Sequence, residues 1–137
     1  MAGMLRIRLL REPEPPRSGG SLCRFGVQDK KGAMHDGVPR ADGLTQFDLE
    51  LTVVGDADLG PPDFGGPFVS GPRGERFLYL SWQRIDGAGL LNRIKVRLAD
   101  VDWGLVRAAQ GRGLEADLRG VGAGGGKRPV EWHLIDA

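Results

Sequence analysis

Three side chains in this chain are soft enough to hold a transition metal: Cys23, His35 and His133. They stand far apart, without the CxxC, HxH or HExxH spacing that sets two ligands on one rigid element. No metal site is expected from them. Nucleophilic catalysis finds as little to use. Cys23 falls in a strand-like stretch and reads as a small buried hydrophobe, and Ser70 and Ser81 lack the GxSxG turn. His133 alternates with Trp132 and Leu134, which turns it to solvent on a closing strand. No catalytic residue is assigned, and no cofactor is expected.

Two glycine-rich stretches set backbone N–H groups beside cations. Residues 122–128 (GAGGGKR) lack the Ser/Thr and the following helix of a P-loop, so they read as a hairpin turn. Residues 71–76 (GPRGER) bring two guanidiniums, Arg73 and Arg76, to a turn and make the better nest for a small anion. No helix N-terminus follows, which leaves a plain turn as the competing reading. The strand that leaves this turn, residues 76–85 (RFLYLSWQRI), carries the other polar handles. Phe77, Tyr79, Ser81 and Gln83 share one face; Arg76, Leu78, Leu80, Trp82 and Arg84 share the other.

Large groups on both faces predict a central strand covered on both sides. An aromatic face ending in hydroxyl and amide groups is what a concave ligand site presents. A plain core in which Tyr79 finds one hydrogen-bond partner has the same pattern. The candidate ligand-binding residues are therefore Arg73, Arg76, Tyr79, Trp82, Gln83 and Arg93, the last as an anion partner from the next strand.

The elements that must position these groups are short strands. Leu5, Ile7 and Leu9 alternate with arginines, and residues 22–28 (LCRFGVQ) form a second strand in which Gly26 marks a bulge or close packing. Residues 13–20 (PEPPRSGG) and 55–66 are surface loops, and 29–43 is a long loop or irregular hairpin connection. Phe47, Leu49, Leu51 and Val53 alternate with polar neighbours, the sign of an antiparallel sheet with one wet face. Residues 67–70 suit a short strand, and Pro72 suits the second position of a turn over 71–74. Asp86-Gly87 is a hairpin turn whose return strand carries Ile94, Val96 and Leu98 inward.

One short helix is predicted over 103–110, capped by Asp100 or Asp102 and ended by Gly111. Leu114, Ala116 and Leu118 alternate next, and Val130, Trp132 and Leu134 close the chain. About seven antiparallel strands with one helix near 101–110 predict an all-β or β-rich α+β fold, a sandwich or partly closed barrel.

Charge sharpens the expectations. Arg93, Lys95 and Arg97 line one strand face, and Asp48 and Glu50 line another. A basic stripe that stands alone would attract an anionic ligand or partner, but with a formal net charge of +1 the two stripes are expected to pair across neighbouring strands. The same balance gives no footprint of a nucleic-acid or membrane-surface partner. At 137 residues, one domain over 1–137 is expected, with 40% apolar and 27% charged residues as in ordinary globular chains. A single cysteine permits no internal disulfide and fits a reducing cytoplasm. Arg6 and Arg8 interrupt the N-terminal apolar patch, so it does not read as a signal peptide, and Met4 is a plausible natural start.

The run GPFVSGPRGERFLYLSW, the DG hairpin, RIKVRLADV and the closing VEW resemble an uncharacterised bacterial family of domains of unknown function. FGVQ at residues 25–28 is similar to that family's early strand, while Trp103 stands where the family carries proline. The resemblance implies one domain spanning the chain and no activity. The expected function is a ligand-binding or protein-interaction module whose partner is a small anionic or aromatic ligand, or a second copy in a homodimer. The alternatives are a small cofactor-independent cyclase or isomerase with its pocket in a β-barrel, and a self-associating structural domain.

Overall fold

The computed structural model describes residues 3–12, 23–84, 90–119 and 130–135, without the side chains of 23–24, 82–84 and 90–92. Its strands are β1 (Gly3–Arg11), β2 (Cys23–Gln28), β3 (Met34–His35), β4 (Val38–Pro39), β5 (Thr45–Val54), β6 (Asp63–Gly65), β7 (Phe77–Arg84), β8 (Leu90–Arg97), β9 (Leu114–Asp117) and β10 (Trp132–Leu134), with α1 (Trp103–Ala108) between β8 and β9. One sheet runs β10-β9-β1-β5-β4, with β6 pairing the far end of β5; the other runs β3-β2-β7-β8. The alternating apolar residues of β1, β5, β7 and β8 enter one core cluster, so the two sheets face each other as a β-sandwich. An edge-on contact between Phe25 of β2 and Phe47 of β5, centroids 5.5 Å apart, spans the gap. The sheets do not close into a barrel.

Most elements follow the alternation, and the departures have local causes. The stretch expected as a long loop or irregular hairpin connection takes the second form: β3 turns back antiparallel on β2, and β4 then carries the chain to the first sheet. Gly26 is a close approach: a Cβ there would overlap the carbonyl oxygen of His35. The loop expected over 55–66 contains β6, which buries Phe64 against β5. Residues 67–70 are not a strand; only Ser70 bridges, exchanging both backbone hydrogen bonds with Phe77. The bonded turn is one residue later than expected, with Glu75 N–H donating to the Pro72 carbonyl, so Pro72 opens it. The strands are not all antiparallel, because β9 runs parallel to β1, Ile7 opposite Leu114. β1 and β9 are far apart in the chain, with the whole second sheet between them, so no tight hairpin forces them antiparallel.

The helix matches its signals. The Asp102 carboxylate accepts the Leu105 N–H at 2.8 Å as N-cap, and Gly111 takes the positive φ of +74° beyond the last turn. The predicted turns at Asp86-Gly87 and at 122–128, and the loop at 13–20, lie outside the described residues.

Candidate functional site

β7 is central within its sheet, between β2 and β8. Its core face is Leu78 and Leu80, both fully buried. Among the described residues no third layer covers its other face, where the expectation was a strand enclosed on both sides. There Phe77 and Tyr79 are half-buried, their rings edge to face with centroids 4.6 Å apart. The cover comes from the neighbouring strand. The Arg93 guanidinium sits 4.5 Å from the Tyr79 ring centroid and the Lys95 ammonium 4.1 Å from that of Phe77. Ser81 is buried on this face, its hydroxyl 3.2 Å from the Gln28 side-chain oxygen, and Gln28 is the register partner of Tyr79.

The basic stripe does not meet the acidic one. β5 and β8 belong to different sheets, so the expected pairing of Arg93, Lys95 and Arg97 with Asp48 and Glu50 does not form. Asp48 instead approaches Arg8 of β1, its register partner, at 3.6 Å, and Arg8 also reaches Glu115 at 3.4 Å. Among the described residues no carboxylate pairs with Arg93, Lys95 or Arg97. Three cations thus stand at alternate positions of an edge strand, beside two aromatic rings.

The turn at 71–76 lies at the end of this face, and its two arginines behave differently. Arg76 is bound into the frame. Its Nε and Nη2 donate to the two Asp63 oxygens at 3.0 and 3.3 Å, and its Nη1 donates to the Gly71 carbonyl. The Arg76 hydrogen bond, aided by the Phe64 N–H and the nearby charges of Arg76 and Arg73, holds the Asp63 carboxyl below its ordinary range despite partial burial. Since β6 belongs to one sheet and residue 76 leads into the other, this pair straps the two sheets together. Arg73 is exposed and acts on Asp63 only through its charge. A cleft of about 140 Å³ opens between the turn and β8, with Gly74, Glu75 and Arg76 on one side and Lys95, Arg97 and Ala99 on the other.

Of the candidate residues, the structure brings Arg76 to the cleft and puts Tyr79 and Arg93 on the same sheet face. Trp82 and Gln83 lie further along β7, opposite Phe25 and Arg24 of β2, and their side chains are outside the described residues. Lys95 and Arg97 read in the sequence as a basic stripe that attracts an anionic partner only if it stands alone, the alternative that the balanced net charge disfavours. Their alternation with Ile94 and Val96 was the available signal, but which strand lay beside them was not.

The soft ligands remain apart. His35 Nε2 lies 2.9 Å from Asp29 Oδ2, its ring edge-on to Phe68 at 4.8 Å, while His133 is exposed beside Glu131. The His35 hydrogen bond, with those from the Ala33 and Lys31 amides, lowers the Asp29 carboxyl from its ordinary value. Among the described residues no three His, Cys, Asp or Glu side chains converge as metal ligands, and no helix is long and apolar enough to cross a membrane.

A family model of unknown function, DUF5990, matches residues 4–136. The chain belongs to that family. The match takes in β1 through β10, and so every strand that frames the cationic face. The family brings no activity with it. No curated protein and no solved structure matches the chain.

Proposed function

We propose that this chain is a binding module whose ligand carries acidic groups and docks on the outer face of β7 and β8, at the cleft beside residues 74–76. The observation that supports the reading is the unmatched cationic row: Arg93, Lys95 and Arg97, without carboxylate partners among the described residues, next to the half-buried rings of Phe77 and Tyr79. Magnitudes narrow the ligand. Each exposed ion pair contributes about 0.2–1 kcal/mol. Three of them fall short of the roughly 4 kcal/mol that a millimolar complex needs. A monovalent ion is therefore held too weakly, and the Glu75 carboxylate on the cleft wall weakens it further. A ligand with several acidic groups, or one acid on an aromatic body that also meets the rings, fits better.

A second copy is a poorer occupant of this edge. Antiparallel pairing of β8 with itself would set like charges against each other, the arrangement by which edge strands avoid self-association. The test is a titration with pyrophosphate and with benzene-1,3,5-tricarboxylate, followed by backbone amide NMR. Shifts should concentrate at residues 74–76 and 93–99, weaken steeply with salt, and vanish in Lys95→Ala/Arg97→Ala. Shifts that ignore both the double substitution and added salt would sink the reading.

A further inference from the structure

A second cavity lies elsewhere, between α1, the end of β5 and the loop after it, with a volume of about 420 Å³. Sites for small molecules occupy about 300–1,000 Å³, so this cavity can take a whole small molecule, whereas the cleft at 74–76 admits only one end of a ligand lying on the sheet face. Its walls are Val53 and Val106, both buried, and the Trp103 indole. The indole is held in place: its Nε1–H donates to the Gly60 carbonyl at 2.7 Å, and its Cζ2 edge stands 3.4 Å from where a Cβ at Gly55 would be. The loop is thereby pinned over the helix, and the cavity has a fixed wall.

The polar groups at this cavity are of both signs. Asp56 and Arg107 both line it, yet they form no ion pair with each other, and Arg107 pairs with no carboxylate among the described residues. The Asp56 carboxylate is oriented, because its Oδ1 accepts the Asp58 N–H at 2.9 Å, which leaves Oδ2 for a further donor. Gln110 donates its amide N–H to the Val106 carbonyl at 3.2 Å and keeps its side-chain oxygen as an acceptor. Each charge has a local rationale: the carboxylate closes a turn, and the guanidinium sits in the last turn of a helix. Neither rationale calls for opposite charges that share one apolar cavity without neutralising each other.

We infer that this cavity binds a small zwitterion with an apolar body, of the size and chemistry of a free hydrophobic amino acid. Its carboxylate meets Arg107, its ammonium meets Asp56 Oδ2 and Gln110 Oε1, and its side chain fills the space between Val53, Val106 and Trp103. Such a ligand completes both charges at once and displaces water from apolar walls, where a singly charged ligand leaves one group unmatched.

The experiment uses the full chain and four probes: L-phenylalanine, L-leucine, 3-phenylpropionate (no ammonium) and phenethylamine (no carboxylate). The readout is the Trp103 indole N–H resonance, assigned by its loss in Trp103→Phe. Both amino acids should move it, with each singly charged probe at least about tenfold weaker. Arg107→Gln should bring L-phenylalanine down to the affinity of phenethylamine, and Asp56→Asn to that of 3-phenylpropionate. Both positions are exposed, so neither change threatens the fold. Equal binding of all four probes, no response to any of them, or amino-acid binding indifferent to both substitutions would overturn the inference. None of these outcomes bears on the cationic face of β7 and β8.

Discussion

Replacing Arg76 by Met should loosen the sandwich, because Arg76 is the cation that joins its two sheets. Both partners of the Asp63–Arg76 pair are less than a third exposed, at 19% and 30% of their side-chain areas, and the guanidinium spans both carboxylate oxygens. An exposed pair contributes about 0.2–1 kcal/mol, whereas hydrogen bonds to charged groups contribute about 1.5–3 kcal/mol when shielded. This pair lies between those limits, so Arg76→Met should cost about 1–2 kcal/mol, part of it from the Gly71 carbonyl left without its donor. For a chain of 137 residues that is a fall in Tm of roughly 4–8 °C. A double-mutant cycle with Asp63→Asn isolates the pair, and a coupling of about 0.5–1 kcal/mol is expected from denaturant unfolding. The pH dependence has a definite sign. The folded-state pKa of Asp63 is lowered, so its contribution is complete above the ordinary carboxyl pKa of about 3.9 and is lost as pH falls through the lowered value. The gap between wild type and Arg76→Met should be level from about pH 5 to 8 and narrow below about pH 4; in the Asp63→Asn background it should shrink by the coupling energy and lose this pH dependence. A coupling within about 0.3 kcal/mol of zero, or a gap that widens in acid, would refute the strap.

Gly26→Ala should destabilise by about 1–3 kcal/mol, since the added methyl must displace the His35 carbonyl and with it the pairing of β2 with β3; chemical denaturation measures the loss. Asp102→Ala removes the only side-chain cap described for α1 and should cost about 1 kcal/mol, with Asp102→Asn restoring most of it in the same assay.

How much could be read before the fold depends on the range of the interaction. Alternation in β5, β7 and β8 is a local property: a period of two decides which side chains reach a core whatever that core contains. Leu49, Leu80 and Val96 were therefore legible from their neighbours alone, and so were the Asp102 cap and the glycine that ends α1. The misses fall where a segment owes its structure to a distant partner. β6 is three residues after two prolines, and it is a strand only because the end of β5 offers it a ladder. β9 alternates like any antiparallel strand, and its parallel partner β1 lies more than a hundred positions away in sequence.

The same division runs through the candidate sites. That Arg93, Lys95 and Arg97 share a face was determined by sequence, because side chains two apart on a strand must do so. That no acidic strand lies beside them among the described residues was decided by tertiary structure, which sent Asp48 and Glu50 to the other sheet. Arg73 and Arg76 looked equivalent beside one turn, and only the arrival of Asp63 made Arg76 a strap. The cavity at Trp103 had no local signal at all. Asp56 and Arg107 are 51 positions apart in the chain, and a charge shows nothing in sequence about which charges it will fail to meet. Local geometry is set by neighbouring residues through sterics and periodicity; the electrostatic partner of each group is set by the packing of the two sheets.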